Sequence, residues 1–416
     1  MIAPQTGQTS HGLRVLICPV AGVETVAINL LADAGARDEA AELNGLAHLF
    51  EHMVFKGTAR RSARDIAEQM EDVGGQLNAW TARDMTAFHA RLLARDLPLG
   101  LDLIADMLTH ARFDEDELAR EKHVVLQELG EARDTPDDIV FDHLQQVAFT
   151  NQPLGRSVLG EEASLARITA DDLRGWQRAH YHPSRLTLAV AGKVDGAHAM
   201  RLAEAAFPAL ASAPQAPART TPSHFTPGQH TDRRRCEQAQ LTLGLPSPGH
   251  HAADHDAALL FTLAVGGGMS SRLFQEVREA RGLAYSVSAG MTPYHDCGLM
   301  SVHAACAKSD AAAARDLIDE VLHAAARTLD KAELDRARAQ AVAGLLMALE
   351  SPAGQADYAA RQWLIHGQWL PPETVIARLD AVDVDAARAA GAAMLAQPPA
   401  RAEIGAGPAR RRSRAA

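Results

Sequence analysis

Two histidines and a glutamate interrupt an apolar run in GLAHLFEHMVFKGT, residues 45–58. His48 and His52 are four residues apart, so a helix places both imidazoles on one face, within reach of a single metal ion. A catalytic zinc site has three protein ligands and one water. Glu51 lies beside that face, where its carboxylate can act on the water. The alternative is a pair of hydrogen-bonded core histidines, but three polar groups in one apolar turn are costly to bury without a metal.

A second segment, DEDELAREKHVVLQELGEARDTPDD, predicts a long helix over about residues 114–133 and offers the third ligand. Leu118, Glu121, Val125 and Glu128 recur at the spacing of one helix face. A carboxylate that faces a core must be paired or bound to a metal. The alternative is an exposed charged face, which suits the other glutamates of this helix better.

The elements around these residues alternate between short strands and longer helices. LRVLICPV and ETVAINLLADAG are typical of strands. The helix with the histidines follows, and Asn44 is positioned to cap its start while Gly57 ends it. Ser62 and Asp65 have the pattern of a capping box at the start of the next helix. GGQLNAWTARDMTAFHARLLA then predicts a hairpin of two strands.

The second half of the chain repeats the first in outline. FDEDELAREK (residues 113–122) is echoed by LDKAELDRAR (residues 329–338), so Glu121 falls opposite Ala337 and Glu128 opposite Gly344. We therefore expect an α+β protein with two homologous α/β sandwich domains, in each of which an antiparallel-rich sheet packs against helices. The second domain is expected to be an inactive structural repeat that binds no metal.

Domain boundaries are predicted from a change in composition. FPALASAPQAPARTTPSHFTPGQHTDRRR is rich in Pro, Ala and Thr, which is typical of a linker. We predict an N-terminal zinc-binding catalytic domain at residues 1–206, a linker at 207–235 and a C-terminal domain with a basic tail at 236–416.

The composition excludes several classes of protein. With 416 residues, 47% of them hydrophobic and 22% charged, the chain is typical of a soluble protein of about two domains. The formal net charge of −11 argues against nucleic acid or a polybasic membrane contact. We see neither an apolar run of about 20 residues nor a signal-peptide pattern. The four cysteines are scattered, which indicates reduced thiols. We expect a cytoplasmic location, or a periplasmic one if a leader has been removed.

Four motifs together resemble the pitrilysin-type family of zinc metallopeptidases, in which the order His-x-x-Glu-His inverts the common zinc-peptidase motif. Within this family they are most similar to the group of the mitochondrial processing peptidases and their bacterial relatives. GLAHLFEHMVFKGT, GGQLNAWTARDMTAFHA, EKHVVLQELGEARDTPDD and GGGMSSRLFQEVREARGLAYSV occur in the family's order over nearly the whole chain. The resemblance implies one zinc ion per chain, bound by His48, His52 and Glu128. It also implies that Glu121 orients a ligand histidine and that Glu51 is the general base.

The resemblance further implies how a substrate is held. Asn78 and Ala79 match edge-strand positions that hold the substrate backbone, and Arg278 and Tyr285 match a pair that grips the peptide and its oxyanion. The implied activity is a zinc-dependent endopeptidase that cleaves peptides or unfolded segments by metal-activated water. Alternatives are one subunit of a heterodimeric peptidase, completed by a paralogue, or a non-catalytic scaffold protein. The zinc residues and the Arg–Tyr pair in one chain favour a homodimer.

Overall fold

The computed structural model describes residues 3–208, 210 and 222–406. They form two compact units, and neither unit is one continuous stretch of chain. The first unit combines Met1–Leu129, Arg156–Thr221 and Leu345–Pro372, and the second combines Gly130–Gly155, Pro222–Gly344 and Glu373–Ala416.

The helices and strands of the described residues are numbered in chain order. Those of the first half are β1 (Gln5–Gln8), β2 (Arg14–Pro19), β3 (Thr25–Ala32), α1 (Leu46–Val54), α2 (Ala63–Glu71), β4 (Gln76–Thr81), β5 (Thr86–Leu93), α3 (Leu97–His110), α4 (Glu115–Asp134), α5 (Pro136–Ala148), α6 (Glu162–Arg167), α7 (Ala170–His180), β6 (Leu186–Gly192) and α8 (Gly196–Ala206). Those of the second half are β7 (Gly228–Asp232), β8 (Ala239–Ser247), α9 (His255–Gly266), β9 (Ser286–Pro293), β10 (Gly298–Cys306), α10 (Ala311–Thr328), α11 (Lys331–Ala348), α12 (Pro352–His366), α13 (Pro372–Asp380), α14 (Val384–Met394) and β11 (Ala400–Ile404).

The sheet of the first unit has the strand order β1-β2-β6-β3-β5-β4. Strands β2 and β6 run parallel, and the other neighbours run antiparallel. Because side chains alternate between the two faces of a strand, Ile28 and Leu30 join one core cluster while Ala27 and Leu31 join another. The first of these clusters includes buried residues of α1 and α3. The helix that carries the histidines is therefore held against this face of the sheet.

The other face of this sheet is covered by α12, which comes from much later in the chain. Ala356, Ala359 and Ala360 recur at helical spacing and are fully buried against the strands. Their small side chains allow the helix to lie close to the sheet. At the same face, Asn29 of β3 donates a hydrogen bond of 3.1 Å to Asp357.

The sheet of the second unit has the order β7-β11-β8-β10-β9. This matches β2-β6-β3-β5-β4 strand for strand, and the pair β7–β11 is parallel as β2–β6 is. Helix α5, from the first half of the chain, packs Ile139, Val140 and Leu144 against this sheet with Ala400 and Ala402. The structure therefore confirms an α+β protein whose second half repeats the first.

The units differ from contiguous domains in one respect, because each sheet is completed by a helix from the other half of the sequence. The predicted domains at 1–206 and 236–416 place α5 in the first domain and α12 in the second. Their burial instead places α5 in the second unit and α12 in the first. Within the predicted linker, residues 228–232 form β7. Residues 209 and 211–221 of that linker, like the basic tail, lie outside the described residues.

No helix in the described part of the chain combines the length and the apolar character that crossing a membrane requires.

Candidate metal centre

Helices α1 and α4 bring three side chains of suitable type to one point. Nε2 of His48 lies 3.7 Å from Oε2 of Glu128, and Nε2 of His52 lies 3.6 Å from the same oxygen. One ligand atom from each of the three residues lies within 4.8 Å of the others, and no other such group occurs among the described residues. Ligand bonds of about 2.0–2.1 Å in a tetrahedral zinc site put neighbouring ligand atoms about 3.3 Å apart. The donor set therefore fits one zinc ion with little adjustment.

A buried carboxylate orients one of these histidines. Oε2 of Glu121 lies 3.0 Å from Nδ1 of His52, and Oε1 of Glu121 lies 2.8 Å from Nζ of Lys56. A carboxylate at Nδ1 keeps the proton on that nitrogen, so the lone pair of Nε2 is directed toward Glu128 and His48. The Lys56 ammonium compensates the charge of Glu121, which is only 5% exposed.

The environment of His48 keeps its imidazole neutral, which is the state that binds a metal. Burial, together with a smaller effect of the nearby His52, lowers the pKa of His48 to about 4. The two rings lie edge to face, with centroids 4.6 Å apart. Nδ1 of His48 is buried, and no described residue hydrogen-bonds it. The two histidines thus differ, since only His52 has a carboxylate behind its ring.

Glu51 lies between the two histidines in sequence and contacts the sheet edge. Oγ1 of Thr81, the last residue of β4, donates a hydrogen bond of 2.6 Å to Oε2 of Glu51. Burial raises the pKa of Glu51, while the Thr81 hydrogen bond and His52 lower it and the charge of Glu128 raises it. A carboxylate whose pKa is raised toward neutrality is suited to accept and return a proton.

The start of α1 is capped from a distance rather than by Asn44. The helix begins after Gly45, whose φ of 95° is left-handed, and Asn44 makes no capping bond. Instead, the Glu39 carboxylate accepts hydrogen bonds from the backbone of Gly45 at 2.9 Å and of Ala47 at 2.7 Å. The Asn44 side chain donates to Glu39 and to the Ser157 carbonyl, both at 2.9 Å. A negative charge at this position also interacts favourably with the positive end of the helix dipole.

The backbone of Gly45 permits this arrangement, since a Cβ there would lie 2.9 Å from Cδ2 of Leu165. Burial raises the pKa of Glu39 to about 7, although hydrogen bonds from Asn44, Ala47 and Gly45 oppose the shift. Glu39 is therefore an acceptor that holds the metal-binding helix at its first turn.

Asn78 and Ala79 lie on β4, which is the edge strand of the sheet, as predicted. Asn78 is exposed, and its side-chain oxygen accepts a hydrogen bond of 2.8 Å from the backbone of Ala79. An open cavity of about 780 Å³ lies between this strand and α2. Its apolar lining includes Phe55, Ile66, Met70 and Leu77, and charged groups such as Lys56 and Arg91 also line it. The edge therefore has space beside it for an extended chain.

Arg278 and Tyr285 lie in the second unit, where they are close to each other. The Arg278 guanidinium lies 5.8 Å from the ring centroid of Tyr285 and 4.6 Å from that of Phe274. Arg278 belongs to a π-helical turn, Phe274–Glu279, and Tyr285 is 73% exposed. An exposed aromatic ring beside a guanidinium can contact a peptide, and the role of this pair stays a prediction.

Three residues that complete this region were not identified as functional from the sequence. Lys56 and Thr81 lie within the motifs FKGT and NAWT, so their closeness to the motif residues was the available signal. Glu39 is separated from the histidines by a turn of chain, and no spacing rule indicates that its carboxylate returns to cap α1.

The chain matches two family models over most of its length. The model described as Insulinase (Peptidase family M16) matches residues 14–162. The model described as Peptidase M16 inactive domain matches residues 167–341. The match to an inactive domain agrees with a second half that repeats the fold and lacks the carboxylates of α4.

Bacterial relatives match nearly the whole chain. An uncharacterized zinc protease of Streptomyces coelicolor is 36% identical over 407 residues, which cover 95% of this chain and 88% of that protein. Another from Bacillus subtilis is 34% identical over 378 residues, which cover 90% and 91% of the two chains.

Two solved structures share the fold. One is described as the peptidase M16 inactive domain from Pseudomonas fluorescens, with a TM-score of 0.90, 22% identity and 99% of both chains covered. The other is a protease from Helicobacter pylori, with a TM-score of 0.89 and 20% identity, and the match covers 97% of this chain and 100% of that chain.

Proposed function

The chain belongs to peptidase family M16, the insulinase family, and on this basis we propose that it is a zinc-dependent endopeptidase that cleaves peptides or unfolded polypeptide segments. The observation that carries the proposal is the convergence of His48, His52 and Glu128 with Glu51 beside them. Relatives named zinc proteases cover this chain almost from end to end.

The reaction follows from the side chains at this point. His48, His52 and Glu128 would hold the zinc ion. The ion would act as a Lewis acid and lower the pKa of a water molecule to about 7. Glu51 accepts a proton from the water as its oxygen attacks the scissile carbonyl carbon. The bond between that carbon and the amide nitrogen then breaks, and Glu51 returns the proton to the leaving amine.

We propose that the substrate binds as an added strand at the edge of β4. An extended peptide gains affinity there through main-chain hydrogen bonds, which depend little on sequence. Asn78 is exposed on this strand, and the cavity beside it is lined by apolar side chains together with a few charged ones. This arrangement favours unfolded chains, because most strands of a folded protein are already paired or covered.

Arg278, Tyr285 and the oligomer belong to the same proposal. The exposed pair is suited to hold a peptide and its oxyanion, and a homodimer, or a heterodimer with a paralogue, is the expected assembly. The mass of the purified protein in solution, measured by light scattering, distinguishes these assemblies from a monomer.

The proposal is tested by metal content together with turnover. We expect the purified protein to carry about one zinc per chain and to cleave a fluorogenic peptide library. Glu51→Gln removes a general base but no ligand, so zinc should stay while kcat falls by about 10²–10⁴-fold. Glu68→Gln makes the same change on the exposed face of α2 and serves as the control. A zinc-loaded wild-type protein that cleaves none of the peptides would refute the proposal.

A further inference from the structure

Thr81 makes a contact that the zinc ligands do not explain. Its hydroxyl donates to Oε2 of Glu51 at 2.6 Å, a short distance typical of a hydrogen bond to an ionised carboxylate. Among the described residues, no other hydrogen bond to the Glu51 side chain is found. The orientation of the carboxylate therefore depends on this one donor.

The donor itself is fixed by the backbone around it. Thr81 ends β4 and is paired with Thr86 of β5, and the turn between them is closed by a hydrogen bond of 2.8 Å from Ala82 to Met85. The loop after β3 binds the same turn, since the backbone of Ala36 donates to the Ala82 carbonyl at 3.0 Å.

A buried ion pair reinforces the contact between this loop and the turn. Nη1 of Arg37 donates to Oδ1 of Asp84 at 2.9 Å, and both side chains are almost fully buried. Thr81 is also β-branched, which restricts its χ1 rotamer within a strand. The hydroxyl is thus held in place before any substrate binds.

We propose that Thr81 is a positioning residue for the general base. Its hydroxyl donates a hydrogen bond to Oε2 of Glu51, so Oε1 is left to accept the proton from the water. Thr81 belongs to the strand at which we place the peptide, so the base and the substrate backbone take their positions from the same element. Catalytic groups must be held within about 0.5 Å of the productive geometry, and a shared strand provides this. The inference rests on the proposed function and adds a residue to it.

The test compares side chains that differ in one hydroxyl. Thr81→Val keeps the shape and loses the donor, so kcat should fall about 10–100-fold with KM little changed, as expected for the loss of a hydrogen bond to a charged group. Thr81→Ser keeps the donor and should stay within about threefold of wild type, whereas Thr81→Ala should resemble Thr81→Val. Zinc should stay at about one per chain in every variant.

A binding measurement provides a second readout that does not need turnover. A peptide hydroxamate binds zinc and places a proton opposite the catalytic carboxylate, so its Kd, measured by calorimetry, reports the orientation of Glu51. We expect Thr81→Val to weaken it about tenfold and Thr81→Ser to leave it unchanged.

The cross-strand partner offers a matched control. Thr86 donates to the Ala34 carbonyl at 2.9 Å and is buried, so Thr86→Val removes a hydrogen bond of the same hairpin without touching Glu51. It should lower Tm and leave the hydroxamate Kd unchanged. Wild-type kcat and Kd in Thr81→Val, or equal losses in Thr81→Ser and Thr81→Ala, would overturn the inference. A zinc-loaded but inactive wild type would instead refute the proposed function, and the hydroxamate comparison would still decide the role of Thr81.

Discussion

Helices α4 and α11 occupy equivalent places in the two halves but present different side chains. Glu121 and Ala337 stand at the same distance from the first residues of their helices, Glu115 and Lys331, and both are buried. The helix starts agree with the register predicted from the sequence. In the first half the buried carboxylate contacts His52 and Lys56, whereas the second half has a methyl group. The fold therefore does not need these charges, and their presence in one half indicates chemistry.

The helices that precede the hairpins show the same contrast. When Phe50 is set opposite Phe261, the buried positions of α1 match those of α9, and His48, Glu51 and His52 correspond to Leu259, Thr262 and Leu263. Thr262 is fully buried, and the partly buried Leu259 and Leu263 pack against the core of the second unit. Thr262 donates to the Ala258 carbonyl at 2.8 Å, and the Phe261 ring packs so closely on Gly391 that a Cβ there would clash. In the second half, apolar packing occupies the place of a metal-binding face.

The largest effect is expected from removing the carboxylate of Glu128. Glu128→Ala deletes a proposed ligand, so zinc affinity should fall by more than about 100-fold, since loss of even an outer partner costs about 10–100-fold. Peptidase activity should fall with it. Metal analysis after dialysis against a chelator measures the change.

The equivalent residue of the repeat provides the control for Glu128. A Cβ at Gly344 meets no other atom within 4 Å, so Gly344→Ala is sterically free and should leave zinc and activity unchanged. Zinc binding that survives Glu128→Ala would show that the two helices do not differ in the way we infer.

A smaller effect is expected at the buried carboxylate. Glu121→Gln keeps an acceptor for Nδ1 of His52 but removes the charge that is paired with Lys56. Zinc affinity should fall about 10–100-fold while the fold is retained. Competition with a zinc indicator dye measures the affinity. Glu115→Gln, a change at an exposed glutamate of the same helix, should have no effect, and equal affinities for both variants would remove the positioning role of Glu121.

The smallest effect concerns pH and His303, a half-buried histidine of the repeat. Burial lowers the pKa of His303, partly opposed by the charge of Asp137, and its Nε2 lies 2.9 Å from the Gln240 side chain. The unfolded state, with a pKa of about 6.5, then binds more protons than the folded state. The stability that neutral His303 contributes is present above about pH 6.5 and is lost as the pH falls toward the folded pKa.

His303→Gln retains a hydrogen-bonding side chain and removes this titration. Urea unfolding of the zinc-loaded protein at pH 7.5 and 5.5 should show a smaller acid loss for His303→Gln than for wild type. His323→Gln changes an exposed histidine of α10 and is the control. The same acid loss in wild type and His303→Gln would show that His303 does not contribute.

Local patterns predicted much of what positions the candidate site. The capping box of Ser62 and Asp65 at α2, the hairpin of β4 and β5, and the inward face of α4 all follow from spacing within one element. The structure brings His48, His52 and Glu128 together, and their role as zinc ligands stays a proposal. Short-range periodicity determines these features, so a single sequence is sufficient to indicate them.

Features that depend on contacts between distant segments could not be predicted. Asn44 has the residue type of a cap, but its side chain bridges to the distant Ser157, and the Glu39 carboxylate takes the capping role through a turn of chain. The exchange of α5 and α12 between the units also could not be predicted from the sequence, because the apolar face of a helix does not specify which sheet it covers. In both cases the structure is determined by tertiary contacts and not by the local sequence pattern.

The exchange of α12 has a consequence for synthesis on the ribosome. The last strand of the first sheet, β6, ends at Gly192, but the helix that covers the sheet's second face begins only at Pro352. About 160 residues must be added between these points, which takes on the order of 10–30 s at about 5–20 residues per second. During that time Leu16, Ala27 and Leu31 have no helix over them. The second sheet has no such delay, since α5 is made before its strands, so the first sheet is the one whose apolar face stays uncovered after its last strand has been made.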